Sequence, residues 1–234
     1  MRPIYRLGKA ANAKGPPPGV GEHFRTRIAD TWDGIRFEIG RMVETVRHQI
    51  GDPLVLDQMG WNLLTIEDEV ERRNPFMMAR AQFHWVRGAT QYTPDPWRSE
   101  KLQSANRMVR MARVPKEIIM AATAPIYASL NGVELSKLSL SELPELPVRI
   151  PSDCDEQSIL CATLCAACGI PTRFMLGANG NGEGFHHVFA QADVFGDGSD
   201  DSFWAGSMDA TEPEFDEIGK FPAMDRYKPV EIWS

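Results

Sequence analysis

The chain has 234 residues, of which 43% are hydrophobic and 24% charged, with a formal net charge of -7. That length supports one sizeable core, and the composition is that of an ordinary globular protein. The acidic balance argues against non-specific nucleic-acid binding, the apolar runs are too short to span a bilayer, and no signal-type segment opens the sequence.

Residues 1–22 (MRPIYRLGKAANAKGPPPGVGE) are basic, rich in Pro, Gly and Ala, and without period, which predicts a flexible arm held only by a partner. From about Thr26 to Ile50, the apolar positions Ile35, Ile39, Met42, Val43, Val46 and Ile50 recur at helical spacing. A second helix is expected from Pro53 through IEDEVERR to near Asn74. A third opens at Pro75, carries Met78, Phe83, Trp85 and Val86, and is ended by TPDP (residues 93–96). Residues 100–113 predict a fourth. The passage ELSKLSLSELPELPVRIP then favours an extended path or loop.

The stretch SDCDEQSILCATLCAACGIPTRF (residues 152–174) has the marks of a turn, a helix opening near Cys154, a stop at Gly169 and a strand from about Thr172. All four cysteines lie in it: Cys154, Cys161, Cys165 and Cys168. In a helix they line a stripe about 20 Å long, too extended to converge on one metal ion. Cys161, Cys165 and Cys168, with Ile159, Leu160 and Leu164, read as one face of a buried helix. Cys154 differs because it sits at the helix entrance. The positive end of the helix favours its thiolate, whereas Asp153, Asp155 and Glu156 oppose it, so a catalytic Cys154 needs a cationic partner.

Downstream the period changes to that of strands. TRFMLGA, FHHVFAQADVF and FWAGSMDAT read as three strands joined by the turns NGNGEG and GDGSDD, followed by a mixed tail to Ser234. The expected fold class is α+β: a helical N-terminal half, then a nucleophile-bearing helix packed on an antiparallel sheet.

Five histidines can partner the cysteine: His23, His48, His84, His186 and His187. The first three read as surface or packing residues. Strand alternation sends His186 and His187 to opposite faces, and periodicity does not choose between them. Asp193 lies on the His187 face but about 20 Å along the strand. Asp197, Asp200 and Asp201 read as turn residues, whereas Asp209 stands beside the histidine if its strand pairs there. A cysteine at a helix N-terminus, with His and Asp on adjoining strands, suits acyl transfer.

The blocks SDCDEQSILCATLCAACGIPTRF, FHHVFAQ and WAGSMDATEP resemble the three motif blocks of the transglutaminase-like superfamily of papain-type cysteine enzymes, in particular its phage- and prophage-encoded branch. FHWVRGATQYTPDP and EKLQSANRM are similar to the helical lead-in of that branch. The resemblance puts Cys154 at the nucleophile position, His187 at the base and Asp209 at the orienting acid, and sets His186 where the branch often has serine. It departs at Ser152, which stands for a glycine, at Trp204, and at an insertion of residues 114–151. It implies one domain over residues 23–234: a helical lead-in (23–113), the insertion (114–151) and a catalytic-type core (152–234).

The activity so implied is a Cys-His-Asp peptidase, amidase or amide-crosslinking transferase without cofactor or metal. Its partners are a protein substrate or neighbouring virion proteins in a larger assembly, with no nucleic acid and no membrane span. It would work in the bacterial cytoplasm during assembly and then in the virion. The alternative expectation is a non-catalytic structural component of a phage particle, in its tail, neck or head completion, that uses the fold as an assembly module.

Overall fold

Two Asx–Pro openings organise the helical half. Asp52 and Asn74 each accept a hydrogen bond from the backbone N–H two residues on, at 2.9 Å, and Pro53 and Pro75 fill the first helical positions. These caps start α2 (Pro53–Leu63) and α3 (Pro75–Ala89), which follow α1 (Trp32–Gln49). Helix α4 (Ala105–Ala112) precedes α5 (Cys154–Ala167). The computed structural model describes residues 23–26, 32–93, 100–113, 149–180, 184–195, 206–211 and 214–233. The arm of residues 1–22, nearly all of the insertion, Trp204 and the GDGSDD turn lie outside them.

Several elements differ from the sequence reading. Helix α1 is described from Trp32, and Thr26, near which the helix is expected to open, instead ends strand β1 (His23–Thr26), paired antiparallel with β3 (Glu100–Gln103). The helix expected over residues 100–113 is therefore a strand followed by the shorter α4. Helix α2 stops at Leu63 rather than near Asn74. The Thr65 hydroxyl donates back to the Asn62 carbonyl at 2.7 Å, and the Asp68 carboxylate takes the Val70 N–H at 2.7 Å. Side chains thus compete with the helical ladder, and Glu67, Asp68, Glu69 and Glu71 crowd like charge there. Strand β2 (Thr90–Tyr92) follows α3 and pairs in parallel with β4 (Ile150–Ser152), setting Tyr92 opposite Ser152.

Helix α5 is the hub. It packs against the four other described helices and against β5 (Thr172–Ala178) and β6 (His187–Ala192). Every residue from Asp155 to Cys165 is buried. A helix enclosed on all sides needs no amphipathic pattern, and Ile159, Leu160 and Leu164 are wholly removed from water. Complete burial stabilises each by about 2 kcal/mol. Gly169, at φ 78°, takes the left-handed turn that ends the helix.

The sheet runs in the order β7–β6–β5–β8 with antiparallel neighbours, where β7 is Gly206–Met208 and β8 is Arg226–Glu231. Strand β8 lies in the tail that the sequence left unassigned. Its pairing beside β5 makes β5 interior, and all seven β5 residues are buried. Strand β6 is shorter than FHHVFAQADVF suggested, because it begins at His187 and ends at Ala192. The molecule is a mixed helix-and-sheet protein.

Candidate active site

The entrance of α5 is fixed by Asp153. Its carboxylate accepts the Asp155 and Glu156 N–H groups at 3.1 and 3.2 Å, while the Glu156 side chain returns to the Asp153 N–H. This reciprocal cap leaves Cys154 as the first helical residue. Among the described residues the Cys154 N–H makes no hydrogen bond. Ser152, just before the cap, is held by the Gln157 side chain at 3.2 Å.

Helix α5 meets the sheet at the main chain of Val188. The Ser158 hydroxyl lies 3.0 Å from the Val188 carbonyl, and the main-chain amide of Val188 lies close enough to the Cys154 sulfur to favour its thiolate. The residue before Val188 is His187, whose Nε2 lies 2.7 Å from Asp209 Oδ2. Their side chains are 11% and 1% exposed. The other Asp209 oxygen accepts from the Thr211 N–H at 3.1 Å and from its hydroxyl at 2.6 Å. Asp209 follows the last residue of β7, which pairs with β6 from Ala190 to Ala192, and that pairing delivers the carboxylate to the imidazole. With Nε2 taken, Nδ1 is the nitrogen left to exchange a proton.

The structure thus brings His187 and Asp209 together and sets Cys154 against the next main-chain amide. It does not join thiol to imidazole by a hydrogen bond. The thiol donates instead to the Asp155 carboxylate, 3.4 Å away. Cys154 is of intermediate exposure, and the groups packed around its sulfur desolvate it. That desolvation, followed by the charges of Asp155 and Asp153, pushes the thiol well above its usual range, with the Val188 N–H opposing. Burial first and the carboxylates second therefore keep the proton on the sulfur in this resting arrangement.

The remaining candidates fall elsewhere. The His186 ring is exposed and accepts from the Asn179 N–H at 3.2 Å. His48 is exposed, and His84 pairs with Glu217 at 3.5 Å. Asp193 is buried beyond the end of β6, where it accepts from the Phe195 N–H. Cys161 and Cys165 are buried, and their thiols are pushed up by desolvation. Cys168, held by Gln82 at 3.5 Å, is pushed up to about 12 by burial. Among the described residues no three His, Cys, Asp or Glu side chains gather as metal ligands would.

Two features of the site had no local signal. Tyr92 stands next to the α5 entrance because β2 and β4 pair in register, with the Thr93 N–H donating to the Ser152 carbonyl at 2.8 Å. Its partly buried phenol is pushed up first by desolvation and then by the neighbouring ionisable groups, Cys154 and the carboxylates of Asp153, Asp155 and Asp209. The second feature is an aromatic backing for the imidazole. The Phe189 ring lies 6.0 Å from that of His187 and meets Phe221 and Tyr227 edge-on at 5.8 and 6.4 Å.

No protein-family model, curated protein or solved structure matches the chain. No described helix is long and apolar enough to cross a membrane.

Proposed function

We propose that the chain is a transglutaminase-like thiol acyl-transfer protein of the phage type, with Cys154 as nucleophile, His187 as base and Asp209 as the group that orients it. The observation that carries this reading is the buried 2.7 Å pair of His187 and Asp209, one residue from Val188, whose carbonyl meets the first turn of the Cys154 helix at Ser158. In the reaction the Cys154 proton passes to His187 Nδ1, and the sulfur attacks a carboxamide or peptide carbonyl. The oxyanion that forms meets the unbonded Cys154 N–H. His187 then returns the proton to the departing amine, leaving a thioester. Water as acceptor gives hydrolysis, and an amine gives a crosslink. The phage-type resemblance extends the proposal to a protein substrate or a place in a virion.

One observation favours a second reading, in which the fold serves as a non-catalytic assembly module. The thiol is bonded to Asp155 and not to the imidazole. Alkylation of the native chain by iodoacetamide, with the modified residue located by peptide mass mapping, separates the two. The enzymatic reading expects Cys154 to react below pH 8, and at least tenfold more slowly in His187→Ala. An inert Cys154, or a rate indifferent to His187, leaves the assembly module.

A further inference from the structure

The proposed mechanism makes no use of Asp155, although its carboxylate accepts from the Cys154 thiol at 3.4 Å. Asp155 is nine-tenths buried, yet among the described residues no arginine, lysine or histidine pairs with it. Its side chain takes one hydrogen bond, from the Cys154 thiol at 3.4 Å. A buried carboxylate is ordinarily paired with a cation or held by several donors. Asp153 and Asp209, whose charges also reach this pocket, have such donors in the backbone amides of α5 and in Thr211 and His187. Among the described residues no cationic group meets Asp155, and the geometry leaves its carboxylate open to one brought by a ligand. Tyr92, set opposite Ser152 by the β2–β4 pairing, is 48% exposed at the same entrance. An aromatic face beside a carboxylate suits an alkylammonium or guanidinium group.

We propose that Asp155 and Tyr92 form a seat for a positively charged side chain of the acyl donor, a lysine or arginine next to the attacked carbonyl. Seating that cation also releases the nucleophile. The Asp155 carboxylate turns from the thiol to the ammonium, and the S–H proton passes to His187 Nδ1 while Asp209 holds Nε2–H. No proton is gained or lost in the exchange. The resting contact of the thiol with Asp155 is then a latch opened by a substrate of the right charge. This inference rests on the reading of Cys154 as nucleophile.

Charged thiol reagents test the seat without a known substrate. Methanethiosulfonates carrying an aminoethyl, a methyl or a sulfonatoethyl group all place the same sulfur on Cys154. Relative to N-acetylcysteine, the aminoethyl reagent is expected to outpace the sulfonatoethyl one at least tenfold, and Asp155→Asn is expected to cut that preference to within twofold. Tosyl-lysine chloromethyl ketone, which sets a lysine beside the attacked carbon, is expected to inactivate at least fivefold faster than its phenylalanine counterpart. A reagent ratio equal to that of N-acetylcysteine, or one unchanged in Asp155→Asn, overturns the seat even if iodoacetamide still modifies Cys154 through His187. A strong preference for the aminoethyl reagent without one for the lysyl ketone assigns the cation to the acyl acceptor and overturns the donor-side proposal. If Asp155→Asn fails to fold, Asp155→Ser or wild type in 0.5 M salt is expected to shrink the ratio at least threefold, and no change in either overturns the proposal. A Cys154 inert to every reagent, iodoacetamide included, removes the nucleophile reading and the seat together.

Discussion

Replacing Asp209 with asparagine isolates the contribution of one buried charge. The variant keeps the size of the side chain, and its amide oxygen can still accept from Thr211, so the turn after β7 retains its two hydrogen bonds. It loses the carboxylate that faces His187 Nε2 at 2.7 Å, in a pair almost closed to water. A hydrogen bond to a charged group is worth about 1.5–3 kcal/mol. At about 1.4 kcal/mol per tenfold, that loss slows any step that places a proton on His187 by roughly 10- to 150-fold. The assay is the pseudo-first-order alkylation of Cys154 by iodoacetamide at pH 7, followed by intact mass, with the thermal melt by circular dichroism as a control for folding. A rate within twofold of wild type, with the melt unchanged, would refute the role given to Asp209 and to its contact with His187.

Tyr92→Phe, which keeps the ring proposed to receive the cation, is expected to leave both the aminoethyl-to-sulfonatoethyl reagent ratio and the iodoacetamide alkylation of Cys154 within twofold of wild type; a tenfold fall in the ratio would contradict the use of the ring face. Cys161 and Cys165 are buried with thiols pushed upward, so the folded chain keeps their protons after the unfolded chain has lost them. Their contribution is complete below about pH 8.5 and is lost as pH rises toward the folded values, by about 1 kcal/mol each at pH 9.5. Urea midpoints at pH 7.5 and 9.5 check the sign, and a midpoint that rises with pH would contradict it. Gly206→Ala is expected to destabilise by about 1–3 kcal/mol, because the new Cβ falls 2.8 Å from both the Ala192 carbonyl and the Val194 side chain. A melt unchanged from wild type would show that β7 can shift, and Asp209 with it.

The sequence by itself determined the elements whose signals are local. Asp52–Pro53, Asn74–Pro75 and the Asp153–Glu156 cap start helices through groups two or three residues apart, and Gly169 ends one through its own backbone freedom. The mixed class and the helix-then-strand order of the second half follow from the change of hydrophobic period. What lay beyond local pattern was decided by pairing across long stretches of chain. Strand β2 exists because residues 90–92 find residues 150–152, and β8 because the tail finds β5. The same pairing β7–β6 carries Asp209 to His187, and β2–β4 brings Tyr92 to the α5 entrance. Composition near Cys154 announced opposing influences on its thiol, a helix end against three acidic side chains. Only the tertiary structure decided between them, because burial strips water from the sulfur and strengthens the effect of the Asp155 carboxylate.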